Sequence, residues 1–292
     1  MKLFAGLEAI VKTEEPLAPR TWYKLGGPAQ YFIEPRTVEE LSEVLRRCAQ
    51  NEVPVRVLGG GANLLVDDSG VRGAVVHLAG AEFTRVAVAG EALRAGGGAA
   101  INALVLQSAR AGLSGAECLT GVPGTVGGAV RMNAGGAFGD IGSVIESVDL
   151  MDADGVAFTR HRGELVFAYR ESNVKSKVIL GAELRLVEDD PQRVLNQIKQ
   201  IWIHKKNTQP LGTRNAGSVF KNPPDQAAGA LIDRCGLKGT RVGGACVSEK
   251  HANFIVAENG ARASDVLKLI NLVREAVYKR WKVYLELEIE VW

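Results

Sequence analysis

Between positions 115 and 140 the chain places eight glycines, Gly115, Gly121, Gly124, Gly127, Gly128, Gly135, Gly136 and Gly139, and almost no charge. Glycine loses more backbone freedom on folding than any other residue, so this density is costly in regular helix or strand. The stretch is therefore expected to be main chain laid close against a ligand, in preference to an empty glycine-rich loop. Its segment 121–136, GVPGTVGGAVRMNAGG, combines small residues, Asn133 and many main-chain amides. That combination suits a buried pyrophosphate and a flat heterocycle.

A second cluster lies in VRVLGGGANLLV, residues 55–66. A strand over Val53–Leu58 that runs straight into Gly59, Gly60 and Gly61 lets main-chain N–H groups approach an anion. The spacing is neither G-x-G-x-x-G nor a P-loop, so a Rossmann dinucleotide site and a Walker nucleotide triphosphatase are both unsupported. Alone, this cluster suits a tight turn as well as a phosphate cradle. The net charge of +2 gives no overall field for nucleic acid or an anionic membrane, so any anion site must be local. The cysteines Cys48, Cys118, Cys235 and Cys246 are scattered, with no C-x-x-C pair and no histidine at ligand spacing. Four reduced thiols and no metal centre are expected. The start, MKLFAGLEAIVKTEEP, reads neither as a signal peptide nor as a membrane span, which points to the cytoplasm.

With 292 residues the chain is long enough for two compact domains. A helix is expected over 37–50, with Thr37 as cap, Glu40 completing a capping box, and Leu41, Val44, Leu45 and Cys48 at helical spacing. A strand follows at 74–78, then a helix over 100–111 ended by Gly112, and mostly strands from 145 to 187. Pro191 suits the first turn of a helix with Val194, Ile198 and Ile201 on one face. That helix is the expected boundary: 1–190 as one domain, in two lobes of about 1–80 and 81–190, and 191–292 as a smaller one. The latter should hold a short helix near 226–235, a strand near 253–257, a long helix near 264–281 and a regular final strand over 284–292. In that strand Leu285, Leu287, Ile289 and Val291 alternate with Glu286, Glu288 and Glu290. Helix and strand mix without a steady βαβ rhythm, so the class is α+β.

Six segments occur in one order at recognisable spacings: GGGANLLV, CLTGVPGTVGGAVRMNAGG, FAYRES, GSVFKNP, GLKGTRVGGACVSEKHANFIV and LELEIEV. Together, from Arg20 to Trp292, they resemble the UDP-N-acetylenolpyruvoylglucosamine reductase family. The resemblance implies an FAD-binding fold of the vanillyl-alcohol-oxidase (PCMH) type in two subdomains, with a smaller substrate-binding domain. It implies FAD held without a covalent bond, NADPH as co-substrate, and reduction of UDP-N-acetylglucosamine enolpyruvate to UDP-N-acetylmuramate for peptidoglycan synthesis. It assigns cofactor contacts to Gly59, Gly60, Gly61, Ala62, Asn63, Gly121, Gly124, Thr125, Gly127, Gly128, Asn133 and Ala134. Ala62 stands where many members have serine, so amides there would act without a hydroxyl. Arg170, Ser218 and Glu288 are the implied catalytic residues; Tyr169, Lys206, Asn222, Lys238 and His251 are the implied substrate contacts. Arg170 and Ser218 are 48 positions apart with no tyrosine between them, as in the shorter type of member, which lacks a tyrosine lid. The partners implied are small molecules, with no nucleic acid and no membrane insertion, and a monomer or weak homo-oligomer.

The chemistry makes its own demand. Reducing a C=C conjugated to a carboxylate needs hydride at the β-carbon, a proton at the α-carbon, and a cation or acid facing the carboxylate. Read without the family, Arg170 is an ordinary strand arginine paired with Glu171, Ser218 terminates a turn, and Glu288 is one of three equivalent glutamates. Lys206, Lys221, Lys238, Arg241 and Lys250 supply cations for a diphosphate, though at least half of them would be solubilising surface residues. Two other readings remain: an oxidase or dehydrogenase of the same flavin fold, and a non-catalytic flavin or UDP-sugar binding protein.

Overall fold

The computed structural model describes residues 2–292, which form two compact units interleaved in sequence. The first takes the chain up to Glu14, Gln30–Gly60 and Arg72–His204; the second takes Glu15–Ala29, Gly61–Val71 and Lys205–Trp292. The expected division at 190/191 coincides with the start of the Pro191–Thr208 helix, whereas the units change within that helix, between His204 and Lys205. Two N-terminal excursions, 15–29 and 61–71, also belong to the second unit. Hydrophobic periodicity reports which face of an element is buried, not which core buries it, so sequence spacing could not expose this interleaving.

Inside the first unit two cores form. One lies under a four-stranded sheet with spatial order Val11–Pro16, Pro28–Ile33, Val71–His77, Val55–Leu58. Val55–Leu58 and Val71–His77 run parallel, pairing Val55 with Ala74 through Leu58 with His77. The Val38–Gln50 helix packs Leu41, Val44, Leu45 and Cys48 into this core. Thr37 Oγ1 accepts from Glu40 N–H at 3.2 Å, as expected of the cap. The Glu40 carboxylate accepts from Arg36 N–H at 2.7 Å, so the expected reciprocal half of the box is displaced by one residue.

The second core is covered by a five-stranded antiparallel sheet in the order Ala157–His161, Ile145–Met151, Val178–Arg185, Ala92–Gly96, Val86–Ala89. The Ile101–Arg110 helix, with Gly112 just beyond it at φ +67°, and the Val126–Met132 helix complete it. The second of these helices lies inside the glycine stretch, where regular structure looked too costly. Thr125 caps it, accepting weakly from Gly128 N–H at 3.4 Å, and Val126, Ala129 and Val130 are buried in the core. Burial of that apolar face offsets the glycine penalty at 127 and 128.

The second unit has one core. A three-stranded antiparallel sheet, Arg241–Val242, Ala245–Val247 and Ile255–Ala257, packs with the Ala228–Arg234 and Ala263–Trp281 helices. In the longer helix Val266, Leu269, Ile270, Val273 and Val277 make the buried stripe. Its first N–H groups, on Ala263 and Ser264, donate to the Asp68 carboxylate at 2.9 and 3.1 Å. The expected final strand is only partly regular. Leu287 bridges Phe220, and Glu290–Val291 pairs parallel to Leu64–Leu65. Leu285 and Ile289 are buried as the alternation predicts, but Val291 is exposed. Alternation specifies a face; a ladder also needs a neighbouring strand, and partners exist only at these two places.

Candidate functional site

In the first unit the two glycine clusters meet. The strand Val55–Leu58 delivers Gly59 and Gly60 onto the 121–128 loop: a Cβ on Gly59 would lie 2.7 Å from Thr125 Oγ1, and one on Gly60 2.7 Å from Gly124 Cα. Real Cβ atoms do not come that close, so glycine is what lets residue 60 meet the Gly124 backbone and residue 59 meet the Thr125 hydroxyl. Gly121 and Gly124 adopt φ of +69° and +110°, conformations glycine enters without penalty. Gly127 N–H donates to Gly97 O at 2.8 Å, which fixes the Val126–Met132 helix against its neighbour. Gly59, Gly60, Gly121, Gly124, Thr125, Gly127 and Ala134 are each partly accessible, and Gly128 is exposed. A main-chain surface of this kind, without side chains in the way, fits the phosphates of a dinucleotide such as FAD. Asn133 is the residue that ends the Val126–Met132 helix. It is buried at φ +44°, its amide donates to Ala168 O at 2.9 Å, and its carbonyl accepts from Gly142 N–H at 3.0 Å. Its side chain holds the fold together beneath that surface.

Arg170, also in the first unit, sits at the tip of a hairpin between Phe167–Ala168 and Glu171–Ser172, not within a strand. Its φ of +57° is the left-handed region, a strained position for a side chain with a Cβ. Nη1 donates to Gly135 O at 2.9 Å, and the guanidinium lies 5.5 Å from the centre of the exposed Tyr169 ring. Glu171 pairs instead with Lys175 at 3.2 Å, so the ordinary Arg170–Glu171 pairing is not what the chain builds.

The second unit gathers four of the sequence-predicted residues. Ser218, Asn222, Lys238 and His251 line one cavity of about 300 Å³, together with Asp233, Lys250 and Asn253. Ser218 follows Gly217, whose φ of +76° demands glycine and whose N–H donates to Asn215 Oδ1 at 2.9 Å. No described residue hydrogen-bonds the Ser218 hydroxyl. Asn253, which sequence reasoning missed, clamps the other side. Its buried amide donates to Phe220 O at 2.8 Å and accepts from Phe220 N–H at 3.0 Å, and its carbonyl accepts from Val219 N–H. The only signal for it was its place in the motif KHANFIV. Asn222 accepts from Ala228 N–H at 3.0 Å, starting the short helix that forms one wall. His251 Nδ1 accepts from Asn253 N–H at 3.2 Å, which leaves the proton on Nε2. Burial holds the His251 pKa below its ordinary value, with the nearby Lys238 charge adding to the effect.

Cations that were equivalent in the sequence separate here. Lys238 meets Asp233 at 2.8 Å on the cavity wall. Lys221 pairs with Glu286 at 3.7 Å and Arg241 with Glu258 at 2.6 Å. Lys250 Nζ donates to Lys206 O at 2.5 Å; Lys206 itself is exposed and lies outside the cavity lining. The three glutamates separate as well. Glu286 and Glu290 are exposed, whereas Glu288 is half-buried, its N–H donating to Val219 O at 2.8 Å and its carbonyl accepting from Asn63 Nδ2 at 3.0 Å. Gly61 turns closely against Arg20 and Thr21, and Ala62 and Asn63 follow it, partly accessible. No described helix is long and apolar enough to cross a membrane.

Comparison with known proteins bears on both units. Residues 29–159 match the model of an FAD binding domain, and residues 209–292 match that of the UDP-N-acetylenolpyruvoylglucosamine reductase C-terminal domain. The chain is 43% identical over its full length to the UDP-N-acetylenolpyruvoylglucosamine reductase of Moorella thermoacetica, covering 96% of that protein. It is 44% identical over 97% of its length to reductase 2 of Symbiobacterium thermophilum, covering 92% of it. The crystal structure of the Thermus caldophilus reductase (MurB) superposes with a TM-score of 0.84 at 41% identity, over 97% of this chain and 98% of that one. A glucose dehydrogenase, Phl p 4.0202, shares the fold alone, at a TM-score of 0.51 and 16% identity over 65% of this chain and 45% of its own.

Proposed function

The chain belongs to the UDP-N-acetylenolpyruvoylglucosamine reductase family, and we propose from that premise how its residues divide the work of reducing UDP-N-acetylglucosamine enolpyruvate to UDP-N-acetylmuramate. The enzyme is an FAD-dependent oxidoreductase of peptidoglycan precursor synthesis, using NADPH and acting in the cytoplasm as a monomer or weak homo-oligomer. The observation that carries the reading is the convergence of Ser218, Asn222, Lys238 and His251 on one cavity.

Bound flavin supplies hydride transfer, from a nicotinamide to the enolpyruvyl β-carbon. The protein's own groups do the rest. The main chain of Gly59–Asn63 and of Gly121–Gly128 holds the cofactor phosphates. Lys238 neutralises charge on the substrate diphosphate, and Asn222 and the Nε2–H of His251 supply neutral hydrogen bonds beside it. Tyr169 and Lys206 are further substrate contacts. The Ser218 hydroxyl, with no hydrogen-bond partner among the described residues to compete for it, donates the proton to the α-carbon. Arg170 and Glu288 stabilise the enolate-like charge that develops on the substrate carboxylate. No second dinucleotide fingerprint exists in the sequence, so NADPH and the UDP-sugar use one site in turn. Steady-state kinetics should be ping-pong, with inhibition by either substrate at high concentration; a productive ternary complex would contradict this.

The decisive test is anaerobic. NADPH should bleach the yellow protein, and UDP-N-acetylglucosamine enolpyruvate should then restore its colour. Bleaching without recovery would remove the substrate assignment.

A further inference from the structure

The cavity in the second unit contains one acidic group among its cations, and no part of the reading above uses it. Asp233 Oδ2 lies 2.8 Å from Lys238 Nζ, with the aspartate side chain about half exposed and the lysine side chain one-third exposed. Both residues line the cavity. The other charged group there, Lys250, is tied to the Lys206 carbonyl, and His251 is held towards its neutral form by burial. Lys238 is thus the lining cation whose charge is already answered by a carboxylate. That is an unusual companion for a residue assigned to an anion, because it repels any anion that Lys238 attracts.

We propose that Asp233 is a specificity-determining residue of this cavity: by sharing Lys238 it limits how much negative charge the site accepts. The inference rests on the reading of Lys238 as the cation for the substrate diphosphate. Like-charge repulsion grows with ligand charge, so the aspartate disfavours a triphosphate more than a diphosphate and a diphosphate more than a monophosphate. When a diphosphate enters, Lys238 is shared between it and Asp233. The phosphate therefore meets a cation that is not at full strength.

The test is direct binding of UMP, UDP and UTP to the FAD-loaded full-length protein, by calorimetry at low and moderate salt. Asp233→Asn should bind UDP about 2- to 5-fold more tightly than wild type, the range expected for one partly exposed charge pair. UTP should gain at least as much and UMP less, and the gain should shrink as salt rises. Asp233→Glu keeps the charge and should stay near wild type. Lys238→Met should weaken UDP binding. If Asp233→Asn binds UDP no better than wild type, or if Asp233→Glu tightens it equally, the role of Asp233 is overturned while the diphosphate reading stands. If Lys238→Met leaves UDP binding unchanged, the diphosphate reading falls and takes this role with it.

Discussion

The two candidate surfaces, one in each unit, are made of different material. Around Gly59, Gly60, Gly124 and Thr125 the surface is main chain, and its capacity to bind comes from the absence of side chains. Around Ser218, Asn222, Lys238 and His251 the cavity is side chain, and its capacity comes from particular groups held at particular points. The first surface should break when an atom is added, the second when a group is removed. A backbone surface suits a phosphate common to many cofactors. A side-chain cavity can distinguish one sugar nucleotide from another and deliver a proton to one carbon.

Removing a reacting group should have the largest effect. Ser218→Ala should leave flavin reduction by NADPH nearly normal and slow flavin reoxidation by the enolpyruvyl substrate by roughly 10²–10⁴-fold, the worth of a positioned general acid. Stopped-flow absorbance separates the two steps. An equal loss in both would mean that the serine shapes the cavity and protonates nothing. Next in size is a contrast within one segment. Glu288→Gln should slow the second step by about 10²-fold, whereas Glu286→Gln and Glu290→Gln, at exposed positions, should stay near wild type. Similar losses at all three would show that the burial of Glu288 has no catalytic meaning.

Adding an atom tests the other surface. Gly60→Ala places a Cβ 2.7 Å from Gly124 Cα, a clash that backbone movement must relieve at a cost of about 1–3 kcal/mol. Melting temperature and the flavin absorbance per protein chain should fall together. A variant that melts lower yet keeps its full flavin would separate packing of the loops from cofactor binding. The smallest effect concerns His251. Its pKa is depressed by burial, so below about pH 6.5 the unfolded chain binds a proton that the folded chain resists. The stability it contributes is fully present above that pH and is lost as pH falls. Urea unfolding of His251→Gln should therefore lose stability less steeply than wild type below about pH 6.5. Parallel curves for the two proteins would place the histidine outside the buried wall.

The cofactor surface was the more legible of the two, because glycine declares a backbone requirement in the sequence itself. That Gly59–Gly60 and Gly124–Thr125 touch was not legible, since two clusters more than 60 residues apart carry no record of their distance. The cavity was legible only through its motifs. Nothing in the spacing of Lys221, Lys238, Arg241 and Lys250 sorts them; ion pairs with Glu286, Asp233 and Glu258 and a carbonyl contact do. Asn253 and Asn215 were missed because a buried asparagine that holds a backbone looks, in sequence, like any polar loop residue.

By itself the sequence determined local outcomes: the Thr37 cap, the buried stripe of the Val38–Gln50 helix, the glycine-bound turns and the α+β class. These depend on steric limits and spacings that act within a few residues, so they can be read along the chain. The tertiary structure decided the rest. It drew 15–29 and 61–71 into the second unit, put a helix through the glycine stretch, and reduced the final strand to short pairings. It also distinguished Glu288 from Glu286 and Glu290. Each of those outcomes turns on which distant segment supplies a partner, and burial against a distant segment outweighs propensities worth only fractions of a kcal/mol per residue.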